Sequence, residues 1–174
     1  MEGNDLSDHR KADRTTERSS RDFALALSQE VIDSHKKSHA HFARDLRKLE
    51  KVYLTRLKSS PELCLEIRRR ISERLLDHAI LARCKQSVCR ARLNAASALG
   101  FTDLMQKTTY SILYAKWAFA QGHKRVARRV AAEVIDELQR SQKKRNSRPI
   151  QQCLAFAERF ESFMRRASKG AVSA

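Results

Sequence analysis

The sequence predicts an all-α protein with about five helices. Its 174 residues include only four Gly and two Pro, so few positions favour turns, and good helix formers such as Ala, Leu, Arg and Lys dominate. Apolar residues also recur every three, four or seven positions, which is the spacing of one helical face. We expect a long antiparallel helical hairpin packed with a three-helix bundle, forming one folded unit overall.

The first 19 residues contain almost no apolar side chains and are predicted to be a flexible N-terminal arm. The arm carries acids such as Asp5 and Asp8 and has no apolar run, which does not fit a secretory signal peptide. No segment approaches the roughly 20 apolar residues of a membrane span. We therefore expect a cytoplasmic or nuclear location.

Residues 20–100 are predicted to form the long hairpin. Its first helix should run to about residue 58, with an apolar stripe of Val31, His35, Phe42, Leu46, Leu49, Tyr53 and Leu57. Ser60 and Pro61 mark the turn, because serine is a favoured N-cap and proline is favoured at the first helical position. The second helix should end at Gly100, which can adopt the left-handed conformation of a helix end.

Residues 101–174 are predicted to form a compact three-helix portion. Asp103 should cap a helix that is apolar on nearly all sides, which indicates a central position. Gly122 ends it, and an amphipathic helix follows to about Arg140. A loop of sequence SQKKRNSR then leads to a fifth helix, whose apolar residues are Ile150, Cys153, Leu154, Phe156, Ala157, Phe160, Phe163 and Met164.

Net charge is the strongest functional signal in the sequence. The chain has 36 Lys and Arg against 20 Asp and Glu, a formal charge of +16 spread along its length, which predicts an acidic partner. Each Lys or Arg that meets a phosphate releases a condensed counterion, so clustered cations can bind nucleic acid without a shaped pocket. Three clusters supply the candidate polyanion-binding residues: Arg140, Lys143, Lys144, Arg145 and Arg148; Lys124, Arg125, Arg128 and Arg129; and Arg68, Arg69 and Arg70.

Aromatic residues do not interleave with these basic runs, as a platform for stacking single-stranded bases would require. We therefore expect contact with RNA or DNA through backbone phosphates, with weak sequence preference. For the first cluster a flexible connection or a nuclear-localisation patch is the alternative. For the other two the alternative is an ordinary solvated helix face, since Glu66, Glu73 and Glu133 lie close by in sequence.

No residue pattern points to catalysis or to a cofactor. Phosphate-binding glycine loops and nucleophile elbows are absent, and His35, His39 and His41 supply too few ligands for a metal site. The four cysteines, Cys64, Cys84, Cys89 and Cys153, lack CxxC spacing, which indicates buried free thiols in a reducing compartment. We expect no enzymatic activity, no metal and no cofactor.

The favoured interpretation is a non-enzymatic basic helical binding or assembly protein that docks on a polyanion, with RNA or DNA preferred. The alternative is a helical adaptor or structural scaffold, which binds an acidic or helical protein partner, or further copies of itself as a homo-oligomer, through the apolar seam of the hairpin and the amphipathic fourth helix. A membrane surface is a third option, because anionic lipids also attract basic helices.

Overall fold

The computed structural model describes residues 5–145 and 147–169, and the side chains of residues 16–145 and 147–167. Within these ranges the chain forms seven α-helices and one short 3₁₀ helix, and no strand. The all-α prediction is confirmed. The helix count exceeds the expected five because both long helices predicted for residues 20–100 are interrupted.

The chain divides into two compact units, Met1–Ala82 and Arg83–Ala174. Unit 1 contains three α-helices and, between the first two, a 3₁₀ helix at Ser34–Lys36: α1 (Asp5–Asp33), α2 (His39–Arg56) and α3 (Pro61–Leu81). Unit 2 contains four α-helices: α4 (Gln86–Ala98), α5 (Leu104–Ala120), α6 (Lys124–Lys144) and α7 (Arg148–Lys169).

The first predicted helix differs from the structure at its start and in its middle. Helix α1 begins at Asp5, inside the segment predicted as a flexible arm, while residues 1–4 lie outside the described ranges. The backbone leaves helical geometry at Lys37 and Ser38. Ser38 then caps α2, because its hydroxyl oxygen accepts a hydrogen bond from the backbone N–H of His41 at 3.4 Å. A serine cap without a neighbouring glycine or proline is a weak sequence signal, which explains why this break was not predicted.

The second predicted helix is also two helices, since α3 ends at Leu81 and α4 begins at Gln86. Arg83 lies between them with a φ of +50°, the left-handed conformation in which helices usually end on glycine. The boundary between the units falls here, rather than near residue 100. Helix ends with strong sequence signals are confirmed, because Pro61 opens α3 and Gly100, with a φ of +67°, follows α4.

Helices α2 and α3 pack antiparallel in unit 1. Near the turn, the Sγ of Cys64 donates a hydrogen bond to the carbonyl oxygen of Leu57 at 3.2 Å. At the opposite ends of the two helices, the Nδ1 atoms of His39 and His78 lie 3.2 Å apart. The core between these ends is buried and also includes residues from α1: Phe23, Leu27, Phe42, Ala43, Leu46, Tyr53, Leu57, Ile67, Ile71 and Leu75.

Helices α5, α6 and α7 pack against one another in unit 2. Asp103 caps α5 as predicted, because its carboxylate accepts a hydrogen bond from the backbone N–H of Gln106 at 2.9 Å. An ion pair joins Lys107 of α5 to Glu137 of α6 at 2.9 Å. Five alanines on these helices are almost completely inaccessible, which lets the backbones approach closely: Ala115, Ala118, Ala127, Ala131 and Ala157.

Candidate nucleic-acid interface

The two units differ strongly in net charge. Unit 1 has 17 Lys and Arg against 14 Asp and Glu, a net +3, whereas unit 2 has 19 against 6, a net +13. Dividing the chain near residue 100, as the sequence suggested, makes the two charges look more alike. That division counts the basic residues between 83 and 100 with the first part, whereas they belong to unit 2. The cationic excess is therefore concentrated in unit 2, which is where a polyanion is most strongly attracted.

Five predicted residues form the α6 C-terminal cluster, at the end of α6 and the start of α7. The predicted loop is mostly helical, because α6 continues to Lys144 and only residues 145–147 separate it from α7. All members are exposed, and within the described ranges none forms an ion pair: Arg140, Lys143, Lys144, Arg145 and Arg148. Cations are also electrostatically favoured at a helix C-terminus, where the carbonyl groups carry partial negative charge. The fold thus places three of these charges in the last turns of α6, a fourth at Arg145 directly after it and the fifth at Arg148, the first residue of α7.

Four further predicted residues form the α6 N-terminal cluster, in the first turns of the same helix: Lys124, Arg125, Arg128 and Arg129. All four side chains are exposed. Arg129 lies 3.8 Å from the carboxylate of Glu133, which is a long and exposed ion pair. Positive charge is unfavourable at a helix N-terminus, and like charges four residues apart repel. This cluster therefore destabilises the helix that carries it.

The two α6 clusters do not form one continuous patch. Arg128 and Lys143 are 15 residues apart, which corresponds to about 22 Å along the helix axis. Between the two clusters α6 carries the acids Glu133, Asp136 and Glu137. A bound polyanion would reach both clusters only by spanning this acidic stretch.

The α3 cluster of Arg68, Arg69 and Arg70 is largely a structural feature of unit 1. Arg69 is only 4% exposed, and its Nη1 lies 3.3 Å from a carboxylate oxygen of Glu66. The Nε of Arg70 meets the other oxygen of Glu66 at 2.6 Å. Arg69 is therefore not exposed on the helix surface as the sequence suggested, because α3 buries a second face in addition to its apolar stripe. Arg68 remains exposed.

Two residues that were not predicted as surface residues stand out on α7. Phe156 and Phe163, which sequence reasoning assigned to the apolar face of the fifth helix, are 47% and 51% exposed. Arg159 and Arg166 are exposed beside them. The signal that was available is angular position, because at 100° per residue Phe156 and Phe163 lie about 80–100° round the helix from the buried Met164, at the edge of the apolar stripe.

Two further polar side chains, His78 and Cys89, lie in the packed interior. His78 is buried, stacks on Phe42 at 4.4 Å between ring centroids, and has its Nε2 3.3 Å from the carbonyl oxygen of Ser34. In the part of the chain with described side chains, no three His, Cys, Asp or Glu residues come together in a way that could hold a metal ion. Burial raises the pKa of the Cys89 thiol, which makes its reactive thiolate form rarer.

The apolar stripe of the predicted hairpin, which was the candidate surface for a protein partner, is buried in the core of unit 1. Leu46 is completely inaccessible there, and Leu49 packs against the same core. No described helix is both long and apolar enough to cross a membrane.

Comparison with known proteins finds no matching protein family, no matching curated protein and no matching solved structure.

Proposed function

We propose that the protein is a non-enzymatic helical binding protein whose unit 2 docks on RNA or DNA through backbone phosphates, in the cytoplasm or the nucleus. The observation that carries this proposal is the α6 C-terminal cluster. Its five exposed cations lie within nine residues and have no carboxylate partner among the described residues. Such a cluster supplies affinity that is independent of base sequence.

The α6 N-terminal cluster supports the same proposal, because its positive charges are electrostatically unfavourable where they lie. Its cations occupy the helix end at which positive charge is least favourable, so helix stability does not account for their presence. Contact with phosphates would turn this local repulsion into attraction. The two ends of α6 then provide two phosphate-binding points about 22 Å apart.

The proposal is tested by titrating the full chain against a labelled RNA and a labelled DNA at several salt concentrations. Affinity is expected to fall steeply with salt, because bound phosphates release counterions. The triple variant K143A/K144A/R145A should lower the slope of log K against log salt by about 2–3, at about 0.9 for each lost contact with a duplex.

The matched control removes three exposed cations from α2 of unit 1, in the variant R47A/K48A/K51A. Both variants have the same net charge, so a loss confined to the first one identifies a binding site rather than a general charge effect. Equal losses in the two variants, or an affinity that does not change with salt, would overturn the proposal.

A further inference from the structure

Exposed aromatic and basic side chains lie side by side along α7. Phe156 and Phe163 are two helical turns apart, about 10 Å along the axis, and share one line on the helix surface. Arg159 and Arg166 repeat the same spacing and lie about 60° further round the helix. We call these four residues the α7 face.

The rings of the α7 face are supported from α5 without being covered. Phe119 meets Phe163 edge to face, with 5.8 Å between ring centroids. The ammonium group of Lys116 lies 5.5 Å from the centroid of Phe156. Each phenylalanine is thus held by a neighbour from α5 and still exposes about half of its surface. The two rings are positioned in advance for a flat partner.

The acids of α7 lie away from this face. From Phe156, Glu161 is about 140° round the helix and Glu158 about 200°. Glu161 is also engaged by Arg165, whose Nη2 lies 2.7 Å from its carboxylate. By contrast Arg148, a member of the α6 C-terminal cluster, lies within about 20° of Arg159 on the helix surface. The α7 face therefore continues a row of arginines that starts at the proposed phosphate-binding cluster.

We infer that the α7 face binds single-stranded nucleic acid, with bases stacked on Phe156 and Phe163 and phosphates paired with Arg159 and Arg166. This inference rests on the proposed function and specifies its substrate class. Aromatic rings alternating with cations are the composition of single-strand binding surfaces, because every base offers a π-face and every nucleotide a phosphate. In a duplex the base faces are stacked inside and cannot reach the two rings.

The decisive experiment compares single strands with a duplex on the same variants of the full chain. Oligo(U), oligo(dT) and a 20-base-pair duplex are titrated at one salt concentration. The variant F156A/F163A should bind both single strands at least about tenfold more weakly, since each stacked base contributes about 1–3 kcal/mol. Its affinity for the duplex should be unchanged. A difference between oligo(U) and oligo(dT) in the wild type then shows which of the two the surface prefers.

Two control variants separate stacking from other effects. F101A removes a phenylalanine of unit 2 that is similarly exposed but lies outside the α7 face, and it should bind like the wild type. F156L/F163L keeps apolar side chains but removes the π-faces, so it should lose single-strand affinity nearly as much as the alanine variant. Thermal melting followed by circular dichroism confirms that each variant is folded.

The arginines of the α7 face are tested with one variant and one matched control. R159Q should weaken single-strand binding and reduce its salt dependence, whereas R165Q removes the same charge from the opposite flank of α7 and should have little effect.

The outcomes distinguish this inference from the proposed function. Binding of duplex and single strands that is equal, and equally insensitive to F156A/F163A, overturns the inference and leaves phosphate docking in place. Failure to bind any of the three probes overturns both. Full single-strand binding by F156L/F163L overturns stacking. A loss of self-association in F156A/F163A, with single-strand binding intact, identifies the face as a protein contact and also overturns the inference.

Discussion

The two units use the same cationic side chains in different ways. In unit 1, Lys37 lies between Glu30 and Asp45, with its Nζ 2.8 and 2.9 Å from their carboxylates. The hydrogen bond to Glu30, followed by that to Asp45, raises the pKa of Lys37, and the bond from Lys37 lowers the pKa of Asp45. In unit 2, the α6 C-terminal cluster has no such partners within the described ranges.

This contrast shows that a basic run cannot be interpreted without its acids. RRR at 68–70 and KKR at 143–145 look equivalent in the sequence. In the structure, Glu66 engages two members of the first run, whereas all three members of the second face solvent. The role of a cation is therefore decided by the carboxylates that the fold brings to it.

The largest expected effect is on the buried arginine of unit 1. Arg69→Ala should lower the free energy of unfolding by about 2–3 kcal/mol, because it removes a buried side chain and one partner of Glu66. Lys144→Ala removes the same charge from unit 2 and should change that free energy by less than about 0.5 kcal/mol. Urea denaturation measures both. Equal losses of unfolding free energy in the two variants would contradict the distinction between a buried, structural arginine and an exposed lysine.

An intermediate effect is expected at Glu73, which lies on α3 among the arginines of unit 1. Burial, and secondarily the nearby carboxylate of Glu66, raises the pKa of Glu73 to about 7. Since the pKa in the folded state exceeds the ordinary value, the folded protein holds a proton that the unfolded chain releases. Stability should therefore decrease as pH rises from about 4.5 to about 7 and level off above that.

Glu73→Gln tests this pH dependence. The variant should be about 1–2 kcal/mol more stable than the wild type at pH 8.5, after allowance for partial solvent screening, and nearly equal to it at pH 4. Glu158→Gln, at an exposed acid of unit 2, should give a stability curve parallel to that of the wild type. If the plots of stability against pH for both variants run parallel to that of the wild type, Glu73 is not the source of the pH dependence.

The smallest expected effect sharpens the contrast within unit 2. K124Q/R125Q should raise the free energy of unfolding by about 0.3–1 kcal/mol, because it removes positive charge from a helix N-terminus. The same variant should weaken nucleic-acid binding. Lys143→Gln, at the other end of α6, should weaken binding while slightly lowering stability. Chemical denaturation combined with the salt titration gives both quantities, and a destabilised K124Q/R125Q would refute the electrostatic argument.

Sequence reasoning succeeded where the backbone chemistry of a single residue decides the structure. Proline at the start of α3, the carboxylate cap of Asp103 and the positive φ of Gly100, +67°, all act locally and were predicted correctly. The breaks at Ser38 and Arg83 were not predicted, because neither residue type is specific for a helix boundary. Local signals therefore located most helices but overestimated the length of two.

The sequence was enough to predict which segments of the candidate site are basic. It was not enough to predict which side chains of the site are exposed. Sequence alone located the basic runs of α6, and the structure leaves all of them exposed. It could not show that Arg69 is buried or that Phe156 and Phe163 are exposed, since both facts depend on which helix packs beside each face. Charge density can be read from a sequence, whereas exposure follows from tertiary packing.

The chain order of the two units has a consequence for biosynthesis. Each unit is one continuous stretch of chain, and its helices pack on helices that are close in sequence. Local topologies of this kind fold quickly, and N-terminal units fold first during translation. We therefore expect unit 1, with its net charge of +3, to complete its core while the helices of unit 2, with a net charge of +13, are still being synthesised.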